Sequence, residues 1–203
     1  MGALRLLVGL GNPGPEYAET RHNAGFWFCE RIALDLKARL AHESRFHGFV
    51  GHAREAGLWL LEPQTFMNRS GQSVRALAQF YRILPGEMLV VHDELDLPPG
   101  RAQLRLGGGL GGHNGLKDIT AHLGTQDFWR LRIGIGHPGD RNEVANFVLK
   151  PPRKEEQADI DTALDRALAA FPLVLDGQFE KAANKINARP PAKPAATPDK
   201  ESP

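Results

Sequence analysis

The chain has 203 residues, with 25 Lys+Arg against 24 Asp+Glu, a net charge of +1, one cysteine and no apolar run near the roughly 20 residues a membrane helix needs. That length suits one domain with a substantial core, and the balanced charge removes any general argument for a nucleic-acid partner, so a basic surface has to be local. Cys29 alone cannot form an internal disulfide, and no positively charged start leads into an apolar secretory segment, so a cytoplasmic protein with no membrane contact is expected.

Residues 4–10 form an apolar run suited to a buried strand, and Gly9, Gly11 and Gly14 at its end fall in G-x-G-x-x-G spacing. A dinucleotide loop must open directly into a helix whose N-terminal amides hold the phosphates. Pro13 and Pro15 stand where those amides should be; proline has no N–H, and it biases Asn12 and Gly14 away from helical geometry. The stretch therefore reads as a stiff turn presenting Asn12, with His22 and Asn23 beyond it. Helical spacing follows over 23–40, then strands over about 47–53 and 57–62 with a hairpin across Arg54–Gly57. A loop Pro63–Gly71 leads to a helix over 70–82, for which Ser70 is a good N-cap. A strand over 88–92, a loop His92–Gly100 and a strand over 101–106 come next. The glycine-rich loop Gly107–Gly115 precedes a helix over 114–123, a strand over 129–135 and a helical segment over 153–187 that Pro172 bends or restarts. Residues 189–203 carry five prolines and no large apolar residue, and read as a disordered tail. The alternation predicts a single α/β domain over 1–188: a three-layer sandwich of helices on both faces of a twisted, mixed and largely parallel sheet.

In such sheets functional groups collect in loops beyond the carboxyl ends of strands, and four loops here carry them. Asn12, Asn68 and Asn114 lie in three different loops. Each could be a turn or cap residue, with Asn114 able to cap its own helix, but together they outnumber the caps required. His22 is the best general base, since histidine titrates near neutrality and needs only a carboxylate such as Asp93 to fix its tautomer. His92 and His113 are rivals for that part, and sequence does not place either. Cys29, inside an apolar helical pattern, is a small buried hydrophobe rather than a nucleophile. A metal site from His92, Asp93, Asp96 and His113 has no diagnostic spacing, and no serine-nucleophile elbow is present. Alternation puts Arg101, Gln103 and Arg105 on one strand face and Arg130 with Arg132 on another. With Lys117 and Arg141 they could form the local basic patch.

Taken together and in order, Gly-Leu-Gly-Asn-Pro-Gly, Thr-Arg-His-Asn-Ala-Gly, Thr-Phe-Met-Asn-Arg-Ser-Gly, His-Asp-Glu-Leu-Asp-Leu-Pro-Pro-Gly, Gly-Gly-His-Asn-Gly-Leu-Lys-Asp and Arg-Ile-Gly-Ile-Gly-His-Pro-Gly closely resemble the bacterial-type peptidyl-tRNA hydrolases from about residue 4 to residue 149. The resemblance implies a monomer that needs no cofactor or metal and cleaves the ester between a peptide and the terminal ribose of tRNA, recycling tRNA from prematurely released peptidyl-tRNA. Its partners would be the acceptor stem, the terminal CCA and the peptide C-terminus, free or on the ribosome. It assigns His22 as base and Asp93 as its orienting partner, with Asn12, Asn68 and Asn114 holding peptide and ester and Tyr17 and Met67 lining the site. It places tRNA contacts at Arg101, Arg105, Lys117, Arg132 and Arg141. Relatives often carry lysine where this chain has Gln103, a lysine thought to clamp the 5′-phosphate with the arginine matching Arg132; Arg101 or Arg105 is expected to take over part of that contact. Two readings compete: a catalytically silent tRNA- or ribosome-binding protein, opposed by the presence of both His22 and Asp93, and a nucleotide-cofactor enzyme, opposed by the two prolines.

Overall fold

A computed structural model describes residues 2–189; apart from Arg189, the expected tail lies outside the described residues. Among the described residues seven strands form one sheet: β1 (Leu6–Gly9), β2 (Ala41–Glu43), β3 (Gly48–Ala53), β4 (Leu58–Pro63), β5 (Met88–Glu94), β6 (Ala102–Leu106) and β7 (Trp129–Gly134), in the order β2-β3-β4-β1-β5-β7-β6. The central β4-β1-β5-β7 pairings are parallel, while β2, β3 and β6 join antiparallel at the edges. The predicted hairpin joins Ala53 to Leu58 in register. The helices are α1 (Ala24–Asp35), α2 (Ser70–Tyr81), α3 (Asn114–Leu123), α4 (Val144–Val148), α5 (Lys154–Leu175) and α6 (Phe179–Asn187).

Two cores follow from strand alternation, since successive side chains point to opposite faces. On one face Leu7, Leu60, Leu89 and Leu131 pack with Phe28 and Ile32 of α1 and Leu164 and Phe171 of α5, and α6 adds Phe179. On the other, Leu6, Val8, Leu61 and Val90 pack with Val74 and Leu77 of α2 and Ile119 of α3. The expected sandwich is therefore observed. No helix among the described residues is long and apolar enough to cross a membrane.

The glycines of the opening loop have packing work. A Cβ on Gly9 would strike the carbonyl of Gly25, and one on Gly25 would strike Leu10 and the Val91 carbonyl, so the pair lets α1 lie directly on β1 and β5. The helix opens at Ala24, ten residues beyond Gly14, which confirms that the loop does not run straight into a helix N-terminus.

Several boundaries differ from expectation. The first helix stops at Asp35, where Lys37 turns left-handed (φ 52°), instead of running to residue 40. Short, wholly exposed β2 has no apolar alternation to announce it. Pro172 sits inside α5, and the chain breaks instead at Gly177 (φ 73°), where a left-handed residue is needed. Ser70 is not the N-cap of α2: it is the first helical residue and its hydroxyl donates to the Met67 carbonyl, while the Asp118 carboxylate of α3 accepts from the Gly71 N–H at 2.7 Å. Nor does Asn114 cap α3; His113 does.

Beneath α1 lies a buried acid outside the candidate site. Glu62 on β4 is pushed up to about 8, first by burial and then by the charge of Glu30. Its proton is thus held more tightly in the folded chain than in the unfolded one. Between the ordinary carboxyl value and about 8, stability should fall with rising pH by up to about 1.4 kcal/mol per pH unit. Glu62→Gln should flatten that slope and melt higher than the wild type at pH 8 with little difference at pH 5, as measured by thermal unfolding at both pH values.

Candidate active site

The buried end of β5 organises the site. Asp93, 3 % exposed, accepts at Oδ1 from His22 Nδ1 and from His113 Nε2, both at 2.9 Å. His22 comes from a short 3-10 turn just before α1, and His113 is the N-cap of α3. The Nδ1 of His113 accepts the Leu116 N–H at 3.4 Å, so its proton sits on Nε2 and neither nitrogen is spare. His22, with Nδ1–H directed to Asp93, keeps the Nε2 lone pair without a partner among the described residues. The two rings lie 5.1 Å apart.

The charges follow from this arrangement. Burial alone would lower His22, but the charge and hydrogen bond of Asp93 outweigh it and raise the imidazole above its ordinary value. Burial would likewise raise Asp93, yet the two histidines hold it far below the usual carboxylate range. His92 is different: it is buried, its Nδ1–H donates to the Asp93 backbone carbonyl at 2.7 Å, and burial, then His113, hold it down to about 3. His92 and His113 thus drop out as rival bases, one for burial and one for want of a free nitrogen.

The set of His92, Asp93, Asp96 and His113, whose spacing was not diagnostic of a metal site, does not assemble among the described residues. The ligand atoms that do meet, within 4.8 Å, are those of His22, Asp93 and His113. An ion there would have to displace both imidazole protons and turn a protonated His113 Nδ1 toward the Leu116 N–H. The donor set fits proton transfer better than metal binding.

The three asparagines converge. Asn12, His22, Phe66, Met67, Asn68 and Asn114 border one cavity of about 230 Å³. An adjoining one of about 430 Å³ shares His22 and Asn114 and adds Asp93, His113 and Arg141. Asn12 Oδ1 accepts the Met67 N–H at 2.8 Å, tying the first loop to the second and leaving its NH₂ without a partner among the described residues. Asn23, unassigned from sequence, clamps the Asn12 backbone from both sides, accepting from its N–H at 2.9 Å and donating to its carbonyl at 3.0 Å. Asn68 and Asn114 are exposed, with amides that have no partner among the described residues. Met67 is buried beneath the cavity, and Gly115 allows α3 to approach its sulfur where a Cβ would collide. Half-buried Tyr17 meets Phe66 edge-on at 6.4 Å and borders the cavity only through it.

Helix α4 was not foreseen, yet Ala145 and Val148 wall both cavities. It is fastened by Arg21, another residue sequence did not single out. Arg21 donates to the carbonyls of Phe147 and Lys150 at 3.1 Å, pairs with Glu156 at 2.8 Å and lies 3.9 Å over the Phe147 ring. Its place directly before His22 was the available signal.

The basic residues divide. Gln103 pairs in register with Arg132, and Arg105 with Arg130, on the face that the glycine loop covers. Arg132 donates from Nε to Glu94 at 2.9 Å and from NH1 to Gln103 Oε1. Gln103 therefore does more than remove a charge: it helps hold Arg132, which a lysine there could not do. Arg101 precedes β6, and its guanidinium donates to the carbonyl of Asn187 at the end of α6, so it does not sit beside Arg105 as alternation suggested. Arg141 borders the larger cavity; Lys117 is exposed on α3.

The chain is similar to known proteins over most of its length. The profile of the peptidyl-tRNA hydrolase family matches residues 6–195. The chain belongs to the peptidyl-tRNA hydrolase family. It is 71 % identical over 186 residues to the peptidyl-tRNA hydrolase of Azoarcus sp. (strain BH72), covering 92 % of this chain and 85 % of the relative. It is 70 % identical over 190 residues to that of Aromatoleum aromaticum, covering 94 % and 97 %. The crystal structure of the peptidyl-tRNA hydrolase of Acinetobacter baumannii superposes with a TM-score of 0.90 at 50 % identity, over 93 % of this chain and 97 % of the other.

In this member of the peptidyl-tRNA hydrolase family, the His22 titration should reveal the Asp93 contact. By NMR, its midpoint should lie above the ordinary value of about 6.5 in the wild type and below it in Asp93→Asn, where burial acts unopposed.

Proposed function

We infer that the protein hydrolyses the ester between a peptide and the terminal ribose of tRNA, acting as a cytoplasmic monomer without metal or cofactor and returning tRNA from peptidyl-tRNA for reuse. The observation that carries this reading is the His22–Asp93 pair opening onto a cavity bordered by Asn12, Asn68 and Asn114. The family supplies the substrate class.

The neutral His22 Nε2 takes a proton from water as the water attacks the ester carbonyl. Asp93 holds the required tautomer and stabilises the imidazolium, and general-base catalysis of this kind is worth typically about 10²–10⁴ in rate. The developing oxyanion needs fixed donors, each worth about 3 kcal/mol, and the free amides of Asn68 and Asn114 are suited to supply them. Amides also suit a peptide of any sequence, because one group donates to a carbonyl and accepts from an N–H. His22 then returns its proton to the departing ribose oxygen. The acceptor stem lies along Arg105 and Arg132, with Arg141 and Lys117 as further backbone contacts.

Incubation with N-acetyl-aminoacyl-tRNA should release the acylated amino acid in the presence of chelator, and His22→Ala should lower kcat by about 10² or more. Binding without release by the wild type would instead favour a silent tRNA-binding protein. Because the active base is neutral imidazole, kcat/KM should rise with pH through a midpoint above the ordinary histidine value. Arg105→Ala and Arg132→Ala should each raise KM and reduce the salt slope by about 1 while sparing kcat; unchanged KM and slope in both would remove the stem from this face.

A further inference from the structure

Strand β6 runs antiparallel to β7, the strand it pairs with, so the loop that follows it starts at the end of the sheet away from Asp93 and must climb the full height of β7 to deliver His113. Its start is fixed by the Gly107 N–H donating to the Phe128 carbonyl at 3.0 Å, and its end by His113 on Asp93. Between them lie Gly108, Gly109, Leu110, Gly111 and Gly112, three of these glycines with positive φ, a stretch with little conformational preference of its own.

Under the middle of this climb sits Arg130, 1 % exposed and unused by the hydrolysis just described. Its NH1 donates to the Gly109 carbonyl at 2.8 Å, and its guanidinium carbon lies 4.9 Å from the Phe128 ring centre. Its Nε and NH2 are buried without partners among the described residues. A buried cation with unmatched donors is costly, and an aliphatic side chain would fill the space without that cost. Arg105 and Arg132 nearby make its charge harder still to keep, with Glu94 opposing them. What the charge and donors secure is a side-chain hydrogen bond that holds the loop midway. Arg105 lies against Gly108 just below it, and Glu94 approaches Gly111 just above.

We propose that Arg130 is a positioning residue for the hydrolysis: by holding the Gly109 carbonyl it seats the glycine loop so that His113 reaches Asp93 and Asn114 borders the cavity. The proposal rests on the reading of His22 as base, and it assigns Arg130 no contact with substrate.

The test uses the full chain, as wild type, Arg130→Met, Arg130→Lys, Gly108→Ala and His22→Ala. Arg130→Met keeps volume and loses the donors; Gly108→Ala unseats the loop without touching the core, because φ there is 97° and the new methyl would meet Arg105. In both, hydrogen exchange over 107–113 should quicken while β1 and β5 stay protected. With N-acetyl-aminoacyl-tRNA, kcat should fall on the order of tenfold with KM changed by less than about threefold. The acid limb of the pH profile should move up, since Asp93 without His113 places its charge on His22 alone. Arg130→Lys should recover part of the kcat. A kcat within twofold of wild type in a loosened loop, loop exchange unchanged in Arg130→Met, or a loss confined to KM would each overturn the proposal. If Arg130→Met does not fold, Gly108→Ala and Arg130→Lys decide it. Failure of the hydrolase reading would look different: wild type and His22→Ala would release product equally, and exchange over 107–113 would still decide the anchoring.

Discussion

One oxygen atom carries the arrangement. Asp93 Oδ1, nearly sealed at the end of β5, accepts from a histidine of the loop after β1 and from a histidine at the start of α3. A carboxylate buried so deeply is tolerable only with such partners, and removing either one would leave its charge short of compensation. The two bonds are not equivalent. Leu116 sets the proton of His113 on Nε2, which makes His113 a fixed donor; His22, bonded through Nδ1, keeps its other nitrogen open. The same pair of contacts that balances the buried charge therefore also separates a supporting histidine from a reacting one.

Around that oxygen the loops are also tied to one another. Asn23 grips the Asn12 backbone, the Asn12 side chain grips Met67, and Met67 packs against Gly115 beside His113. Arg21 brings α4 in as the remaining wall. A cavity bordered by side chains from five segments is thereby held with few of its own polar groups consumed: Asn68, Asn114 and His22 Nε2 remain available. Such preorganisation is what fixed donors need if they are to act on a developing charge without rearranging first.

Much of this was legible in the sequence, and the reasons are specific. Strand β1 and the first half of β5 are apolar runs because both of their faces are covered, whereas Arg130 and Arg132 alternate with apolar residues along β7. Pro13 and Pro15 excluded a phosphate loop, and Gly9 and Gly11 ahead of them proved to be contacts with α1. His22, Asp93 and the asparagines could be singled out by residue type and, more firmly, by family resemblance. What escaped depends on long-range geometry. Asn23 acts on a residue 11 positions away and Arg21 on residues more than 120 positions away. The tautomer of His113 follows from a backbone amide that only the helix places. Strand alternation grouped Arg101 with Arg105, but the strand begins one residue later and α6 captures Arg101. The reversed direction of β6, invisible in local pattern, is what sends the glycine loop across the sheet face.

The most direct test of the account is the protonation of the two imidazoles, read from ¹⁵N chemical shifts of the ring nitrogens at a pH where both are neutral. The account predicts His22 protonated at Nδ1 with a bare Nε2, and His113 protonated at Nε2 with Nδ1 accepting from Leu116. A His22 protonated at Nε2, or a His113 protonated at Nδ1, would contradict it.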